Sequence, residues 1–590
     1  MKTRKFKFLF ALVTSMVMLL TLCIPAFGAD PTYTITILPN SADKASHTYE
    51  AYQIFKGDLD EGTLANIEWG SGIVESKTVD DKTVYQALAA QDDVFANADT
   101  AAEIADGLAS AELDADKIPS IAKVLAAYLS ATHTDSQSSG SDIIIKNLPA
   151  GYYLVKDADA ALNDDEAAYT NYLLRLVRNV SVSVKSEIPS LDKNITDGSS
   201  DATKAASYSI GDDVPFTLTS AVPDMSGYNC YYFIFTDTMT EGLTFNDDVA
   251  VEILKADGTV LKKLEEDTDF TVEKDAENNQ FQLIFKNFIQ YNTEEYIGNA
   301  IVATYTARLN EDAEIGGDPL NKNTAQLLFS NNPNYDYDPT TDVPTEADPG
   351  TPGSGDPTYN EPIGKTPKIE NFIYTTGLKI VKVDAETLNR LNGAEFTIEG
   401  EGIKDVIKIS CTFTEDTNGS YYQLLDGSYT EEAPTDATKA NYVSTTTLYK
   451  MTQNILKATD TGYVAGVGMV GDDGIVSFVG LNTGKYTITE SQTPYGYNTI
   501  GSFQIEITAQ PIATGCTWDA QIVDDGGMMI DSLQQDSDEL FSVIVKNSKG
   551  ALLPSTGGIG TTLFYIIGSV LVLGAIILMV TRKRMNTKEK

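Results

Sequence analysis

Along most of the chain apolar and polar residues alternate in short runs, the period-2 pattern of strands that bury one face. Tyr33-Thr34-Ile35-Thr36-Ile37, Val180-Ser181-Val182-Ser183-Val184 and Lys485-Tyr486-Thr487-Ile488-Thr489 are clear cases, with Gly, Asn and Asp clusters between such runs. This texture holds from 30 to about 370 and again from 376 to 548. One stretch departs from it. Within 84–130, Leu88, Ile104, Leu108, Ile121 and Leu125 recur at helical spacing, which predicts one or two core-packed helices decorating the first domain. Residues 338–367 are rich in Pro, Gly, Asp and Thr and almost free of apolar side chains, which predicts a long extended loop or linker.

Both ends depart from the strand pattern in another way. Lys2, Arg4, Lys5 and Lys7 precede the apolar run Phe8 to Leu22 and the small-residue segment Pro25-Ala26-Phe27-Gly28, so 1–28 reads as a secretory signal cut near Gly28. At the other end Ile559 to Thr581 is uncharged and long enough to cross a bilayer. Arg582, Lys583 and Arg584 follow it, which places the C-terminus in the cytoplasm.

A chain of 590 residues allows three or four domains. Boundaries fall near 186, where Ile188-Pro189-Ser190 interrupts the pattern, and near 376. The segments are then 29–185, 186–375 with the Pro-rich stretch, 376–550, and a C-terminal 553–590. The class is mainly β, with tandem Ig-like β-sandwich domains and helical insertions in the first.

Charge and composition narrow the function. Asp plus Glu total 84 against 42 for Lys plus Arg, a net charge of −42; the signal and the tail are both basic, so the exported part is more anionic still, about −50. A field of that sign excludes non-specific nucleic-acid binding. The only histidines, His47 and His133, lie in the first quarter, which removes two-His zinc sites and Ser-His-Asp triads from the rest of the chain. Cys23 leaves with the signal; Cys230, Cys411 and Cys516 remain, an odd and widely spaced set that argues against a disulfide framework and leaves open whether Cys411 and Cys516 pair.

Leu553-Pro554-Ser555-Thr556-Gly557, directly before the span and the basic tail, resembles the LPXTG sorting signal of Gram-positive surface proteins. The resemblance implies that a sortase cleaves Thr556–Gly557 and passes the Thr556 acyl group to an amine. Leu378-Lys379-Ile380-Val381-Lys382-Val383-Asp384, Leu391-Asn392-Gly393-Ala394-Glu395-Phe396, Tyr486-Thr487-Ile488-Thr489-Glu490 with Pro494-Tyr495-Gly496-Tyr497, and the last strand Phe541 to Asn547 together resemble a Cna B-type domain. In that family a first-strand Lys and a last-strand Asn join in an isopeptide bond promoted by a Glu. The matching residues are Lys382, Asn547 and Glu490.

Parity supports this independently. Lys382 shares a face with Leu378 and Ile380, Glu490 with Tyr486 and Ile488, and Asn547 with Phe541, Val543 and Val545, so all three polar groups point where apolar neighbours point. Burial would lower the Lys pKa and raise the Glu pKa, giving a neutral amine beside a protonated acid. That acid is expected to donate to the Asn oxygen while ammonia leaves.

The middle segment resembles the isopeptide-forming second domain of fimbrial backbone subunits, in which Asp replaces Glu. Lys193 lies with Leu191 and Ile195, Asp237 with Tyr231, Phe233 and Phe235, and Asn323 with Ala325, Leu327 and Phe329. Asn331 has the same parity and Asn332 adjoins it, so the acceptor stays open among Asn323, Asn331 and Asn332. The first segment carries Tyr49-Glu50-Ala51-Tyr52-Gln53-Ile54-Phe55 and Gly151-Tyr152-Tyr153-Leu154-Val155-Lys156-Asp157, both familiar from such subunits, but no evident Lys/acid/Asn set.

Shaft pilins carry a linking lysine in a Tyr-Pro-Lys motif at the end of the first domain. Here Ser183 and Val184 precede Lys185, which shares parity with Ser181 and Ser183 and so should face solvent. The chain is therefore read as similar to a sortase-assembled pilus backbone subunit: secreted, polymerised head to tail through Thr556 and Lys185, and fixed to peptidoglycan. Implied partners are pilus-specific and housekeeping sortases, identical subunits and tip or basal accessory pilins, with a host surface ligand left open. No cofactor or metal is implied, and the self-directed bond chemistry makes it no enzyme. The rival readings are a monomeric wall-anchored adhesin of the same domains, which would give no polymer ladder, and a wall-anchored hydrolase, for which no nucleophile–base set can be assembled.

Overall fold

The computed structural model describes residues 31–38, 47–113, 117–139, 142–158, 171–183, 188–196, 203–228, 230–285, 287–333, 363–527, 529–536, 539–550 and 559–586. The signal 1–28, Lys185, residues 338–362 and Leu553 to Gly557 lie outside them. The chain divides into two compact units, Met1–Tyr374 with Gln510–Cys516, and Thr375–Ala509 with Thr517–Lys590.

Residues up to Ser183 build two sheets. One pairs Gln137–Ser139, Asp142–Pro149, Thr32–Leu38 and Val180–Ser183, the last two in parallel; the other orders Thr63–Trp69, Tyr49–Asp60, Gly151–Asp157 and Asn171–Leu176. Alternation sorts the long strand Tyr49–Asp60 between two cores. Tyr49 and Ala51 pack with Ile35, Ile37 and Ile145 of the facing sheet. Tyr52, Ile54 and Phe55 pack under the helices.

Three α-helices occupy the helical stretch, Val84–Ala89, Ala101–Leu108 and Ile118–Ala127, where one or two were expected. Thr83 and Thr100 start the first two, each closing a capping box with the residue three further on, Gln86 and Glu103. Pro119 sits in the first turn of the third, where its missing N–H costs nothing. Val84, Leu88, Ile104, Ile121 and Leu125 then seal the outer face of the sheet.

From Asp192 to Tyr374 a six-stranded sheet (Asp192–Ile195, Asp213–Ala221, Ala300–Leu309, Ala250–Leu254, Val260–Leu264, with Leu243–Phe245 on Ala300–Leu309) accompanies a seven-stranded one. The latter holds Ala205–Ser207, Ile369–Tyr374, Asn321–Ser330, Phe233–Met239, Gln280–Phe285 and Phe270–Asp275, with Ile363–Lys365 on Asn321–Ser330. That last strand corrects the expected loop 338–367. Ile363 pairs with Ser330 and is buried, and Thr366 bonds through both its N–H and its hydroxyl to Leu327, so 363–367 finishes a sheet.

From Thr376 onward a six-stranded sheet runs Tyr449–Leu456, Ile407–Glu415, Ile475–Leu481, Thr376–Asp384, Phe541–Asn547, Ile530–Gln535, opposite Val467–Met469, Glu395–Glu399, Gly484–Gln492, Phe503–Ile512 and Gly515–Asp524. The first and last strands, Thr376–Asp384 and Phe541–Asn547, lie side by side in parallel. The helix Ile559–Asn586 is long and apolar enough over Tyr565–Lys583 to cross a membrane. Among the described residues no disulfide is formed.

Candidate functional site

The alternation that makes Phe541–Asn547 half-buried carries Asn547 into the core with Phe541, Val543 and Val545. Parallel register sets Val545 opposite Lys382 and Asn547 opposite Asp384, so Lys382 and Asn547 project from one sheet face, a short diagonal apart. Glu490 reaches them from the facing sheet, where it pairs with Phe396. Lys382 and Asn547 are wholly buried and Glu490 nearly so.

The Lys382 Nζ donates to Asn547 Oδ1 in a very short contact and lies 3.6 Å from Glu490 Oε1. Asn547 Nδ2 donates to both Glu490 oxygens, at 2.8 and 3.0 Å. Glu490 Oε2 also accepts from Thr493 Oγ1 and the Ile500 N–H, both at 3.2 Å, which fixes its rotamer. Burial lowers the Lys382 pKa to about 8, against the opposing pull of Glu490. The expected contact of the acid with the amide oxygen is not the one formed: Lys382 occupies that oxygen, and Glu490 faces the nitrogen that would leave.

The middle triad uses the two sheets differently. Lys193 extends from the six-stranded sheet, opposite Leu218. Asp237 and Asn323 stand on neighbouring strands of the seven-stranded sheet, opposite Ala325 and Met239 respectively. All three are wholly buried, and Lys193 Nζ donates to Asp237 Oδ2 at 2.5 Å. Burial lowers the Lys193 pKa to about 8 and raises that of Asp237, each shift opposed by the other group. Asp237 Oδ1 and Asn323 Oδ1 are both buried without a donor. Asn331 also lies buried, but eight residues further along, about 26 Å at ~3.3 Å per residue.

Three comparisons bear on this architecture. Residues 210–333 match the family described as Gram-positive pilin backbone subunit 2, Cna-B-like domain; residues 376–521 match the SpaA prealbumin-like fold domain; residues 545–587 match the LPXTG cell wall anchor motif. A trypsin-resistant surface T6 protein of Streptococcus pyogenes serotype M6 is 28% identical over 422 residues, 68% of this chain and 70% of its own. The chain is homologous to Gram-positive backbone pilins. Among solved structures, the T6 backbone pilin of S. pyogenes M6 is similar with a TM-score of 0.46 and 16% identity, over 89% of this chain and 100% of that one. The major pilin SpaD of Corynebacterium diphtheriae gives 0.41 and 16%, over 89% and 99%.

This pilin is a structural shaft subunit of a cell-surface pilus and not an enzyme. Its sorting signal makes it a sortase substrate, secreted, polymerised and anchored at the cell wall. Of the lysines considered for the joint, Lys185 lies outside the described residues; Lys156 is buried in Gly151–Asp157 and Lys146 is exposed.

One residue of the pilin's middle triad was missed. Tyr305, on Ala300–Leu309, accepts from Lys193 Nζ and Asn323 Nδ2, both at 3.0 Å, and donates to Asp237 Oδ2 at 2.5 Å. Its place on the face of Ala303, Ala307 and Leu309 was legible as core, but nothing in the pattern distinguishes a hub hydroxyl from an ordinary buried Tyr. Elsewhere among the described residues, Glu50, His133 and Asp135 bring three ligating atoms within 4.8 Å. Glu50 there already accepts from Tyr52 at 2.6 Å, and His133 lies 3.2 Å from Asp135, an arrangement that surface ion pairing accounts for.

Proposed function

We propose that each triad closes an autocatalytic isopeptide bond, Lys382–Asn547 promoted by Glu490 and Lys193–Asn323 promoted by Asp237, and that the cross-linked pilin is joined head to tail from Thr556 to Lys185. The observation that carries the reading is the convergence of two buried amine–acid–amide sets, with each lysine brought towards neutrality by burial. In the middle triad two buried ions would each cost several kcal/mol, whereas a neutral Lys193 amine beside a neutral Asp237 acid avoids that cost and supplies a nucleophile. Nζ attacks Cγ of the amide, the Cγ–Nδ2 bond breaks, one proton passes from the attacking to the leaving nitrogen, and ammonia departs. Glu490, facing Nδ2, is placed to deliver that proton. In the middle triad a proton on Asp237 would give a donor to a site where two buried oxygens lack one. Fixed juxtaposition replaces the high concentration that amide aminolysis otherwise needs.

Under this reading 29–185, 186–375 and 376–550 are successive shaft domains. A pilus-specific sortase makes each joint, a housekeeping sortase attaches the base to peptidoglycan, and tip or basal accessory pilins complete the fibre. Intact-mass and tryptic analysis of the chain tests the internal bonds: two lost ammonias, mapped to the two Lys–Asn pairs, are expected. A chain of full unreacted mass would overturn them.

A further inference from the structure

Asp237 is one methylene shorter than Glu490, and in the middle triad a further hydroxyl touches the amide. In the second unit the acid itself holds Asn547 Nδ2. In the middle triad the nitrogen of Asn323 is held at 3.0 Å by the Tyr305 hydroxyl, which also lies 3.0 Å from Lys193 Nζ and 2.5 Å from Asp237 Oδ2. One oxygen thus bridges the attacking nitrogen, the leaving nitrogen and the acid.

The surroundings make that hydroxyl hard to replace. The Tyr305 ring stacks on Phe216 at 5.5 Å and meets Phe281 edge-on at 5.0 Å. Within these aromatic walls the Tyr305 oxygen lies 3.0 Å from both nitrogens, which places it to carry a proton from one to the other. A hydroxyl buried there also costs free energy unless it is bonded, and its three bonds all go to the triad.

We propose that Tyr305 is a catalytic residue of the Lys193–Asn323 cross-link, its hydroxyl relaying the proton from Nζ to Nδ2. This rests on the isopeptide reading of the middle triad. As the Nζ–Cγ bond forms, Nδ2 becomes basic; the Tyr305 hydroxyl turns from Asp237, gives its proton to Nδ2 and takes one from Nζ. The Cγ–Nδ2 bond then breaks and ammonia leaves. Tyr305 and Asp237 end as they began, so no further reactant is needed. Burial holds the Tyr305 pKa well above its ordinary value, so the proton is present to be given.

The test follows both cross-links by peptide mass spectrometry in the full chain, made in a cell-free system and sampled over time. Tyr305→Phe keeps the ring and its stacking. It should slow closure of Lys193–Asn323 by roughly 100-fold or more, the usual scale of general acid–base help, while Lys382–Asn547 closes at the wild-type rate and reports that the chain has folded. Substituting 3-fluorotyrosine throughout, a nearly isosteric change that makes the phenol more acidic, should alter the middle rate and leave the other unchanged. Equal effects of fluorotyrosine on both rates, or a wild-type rate in Tyr305→Phe, overturn the relay and leave the isopeptide reading standing. A wild-type chain with Lys193 and Asn323 never joined, or an Asp237→Ala chain in which they join normally, instead overturns the reading of the triad.

Discussion

Asn547 Nδ2 donates to both oxygens of Glu490, at 2.8 and 3.0 Å, while Lys382 contacts the Asn547 carbonyl oxygen. The acid thus holds the leaving nitrogen and the amine approaches from the other side, with 165 residues of chain between Lys382 and Asn547. Closing that span covalently removes on the order of 5 kcal/mol of unfolded-state freedom.

Glu490→Ala should therefore leave Lys382 and Asn547 unjoined. The mass should rise by one ammonia, after allowing for the substitution, and the melting temperature of the unit should fall by roughly 10–20 °C. Tryptic susceptibility should rise with it. A cross-linked Glu490→Ala chain would remove the glutamate from its role.

Bond formation should accelerate as pH rises towards the lysine pKa and level off above it. Only the neutral amine is a nucleophile, and burial lowers Lys382 and Lys193 from 10.5 to about 8. At pH 7 that raises the neutral fraction from about one in three thousand to about one in ten, close to 300-fold. Newly synthesised chain transferred to buffers between pH 5 and 9 should close its bonds about tenfold faster per unit up to about 8. A flat profile across that range would show that amine deprotonation does not limit the step.

Much of this site was legible because a sandwich strand buries every second residue. Lys382, Glu490 and Asn547 each stood in an apolar series, and each is buried. Periodicity within a strand says nothing of which strands become neighbours, however. That Thr376–Asp384 lies parallel to Phe541–Asn547, and that Asp237 and Asn323 face Lys193 from the opposite sheet, are properties of topology and register. Tyr305 was hidden for the same reason: its partners come from three other strands. The helix count was a different failure, since Thr83 with Gln86 and Thr100 with Glu103 spell two capping boxes that apolar spacing alone passes over.

The acceptor in the middle segment separates cleanly by substitution. Asn323→Ala should abolish that cross-link and restore one ammonia of mass. Asn331→Ala should leave it intact, because Asn331 lies about eight residues further along the same strand direction, beyond the reach of Lys193. Loss of the bond in Asn331→Ala alone would reassign the acceptor.

The joint between subunits needs an amine of the opposite kind to those in the triads. Lys193 and Lys382 are sealed in cores and committed to internal partners, so an external enzyme carrying the Thr556 acyl group cannot reach them. Lys185 follows the strand Val180–Ser183, in which Ser181 is exposed while Val180 and Val182 are partly buried, and it continues the series of Ser181 and Ser183. A covalent joint there transmits tension along the shaft without requiring a large buried interface. Lys185→Arg keeps the charge and removes the usable amine. In a host that assembles the pilus, this variant should lose the SDS-resistant ladder and run as monomer, while attachment to the wall through Thr556 persists. A wild-type chain with no ladder at all would favour the monomeric adhesin. A ladder that survives Lys185→Arg would move the joint elsewhere, with exposed Lys146 the next residue to test ahead of buried Lys156.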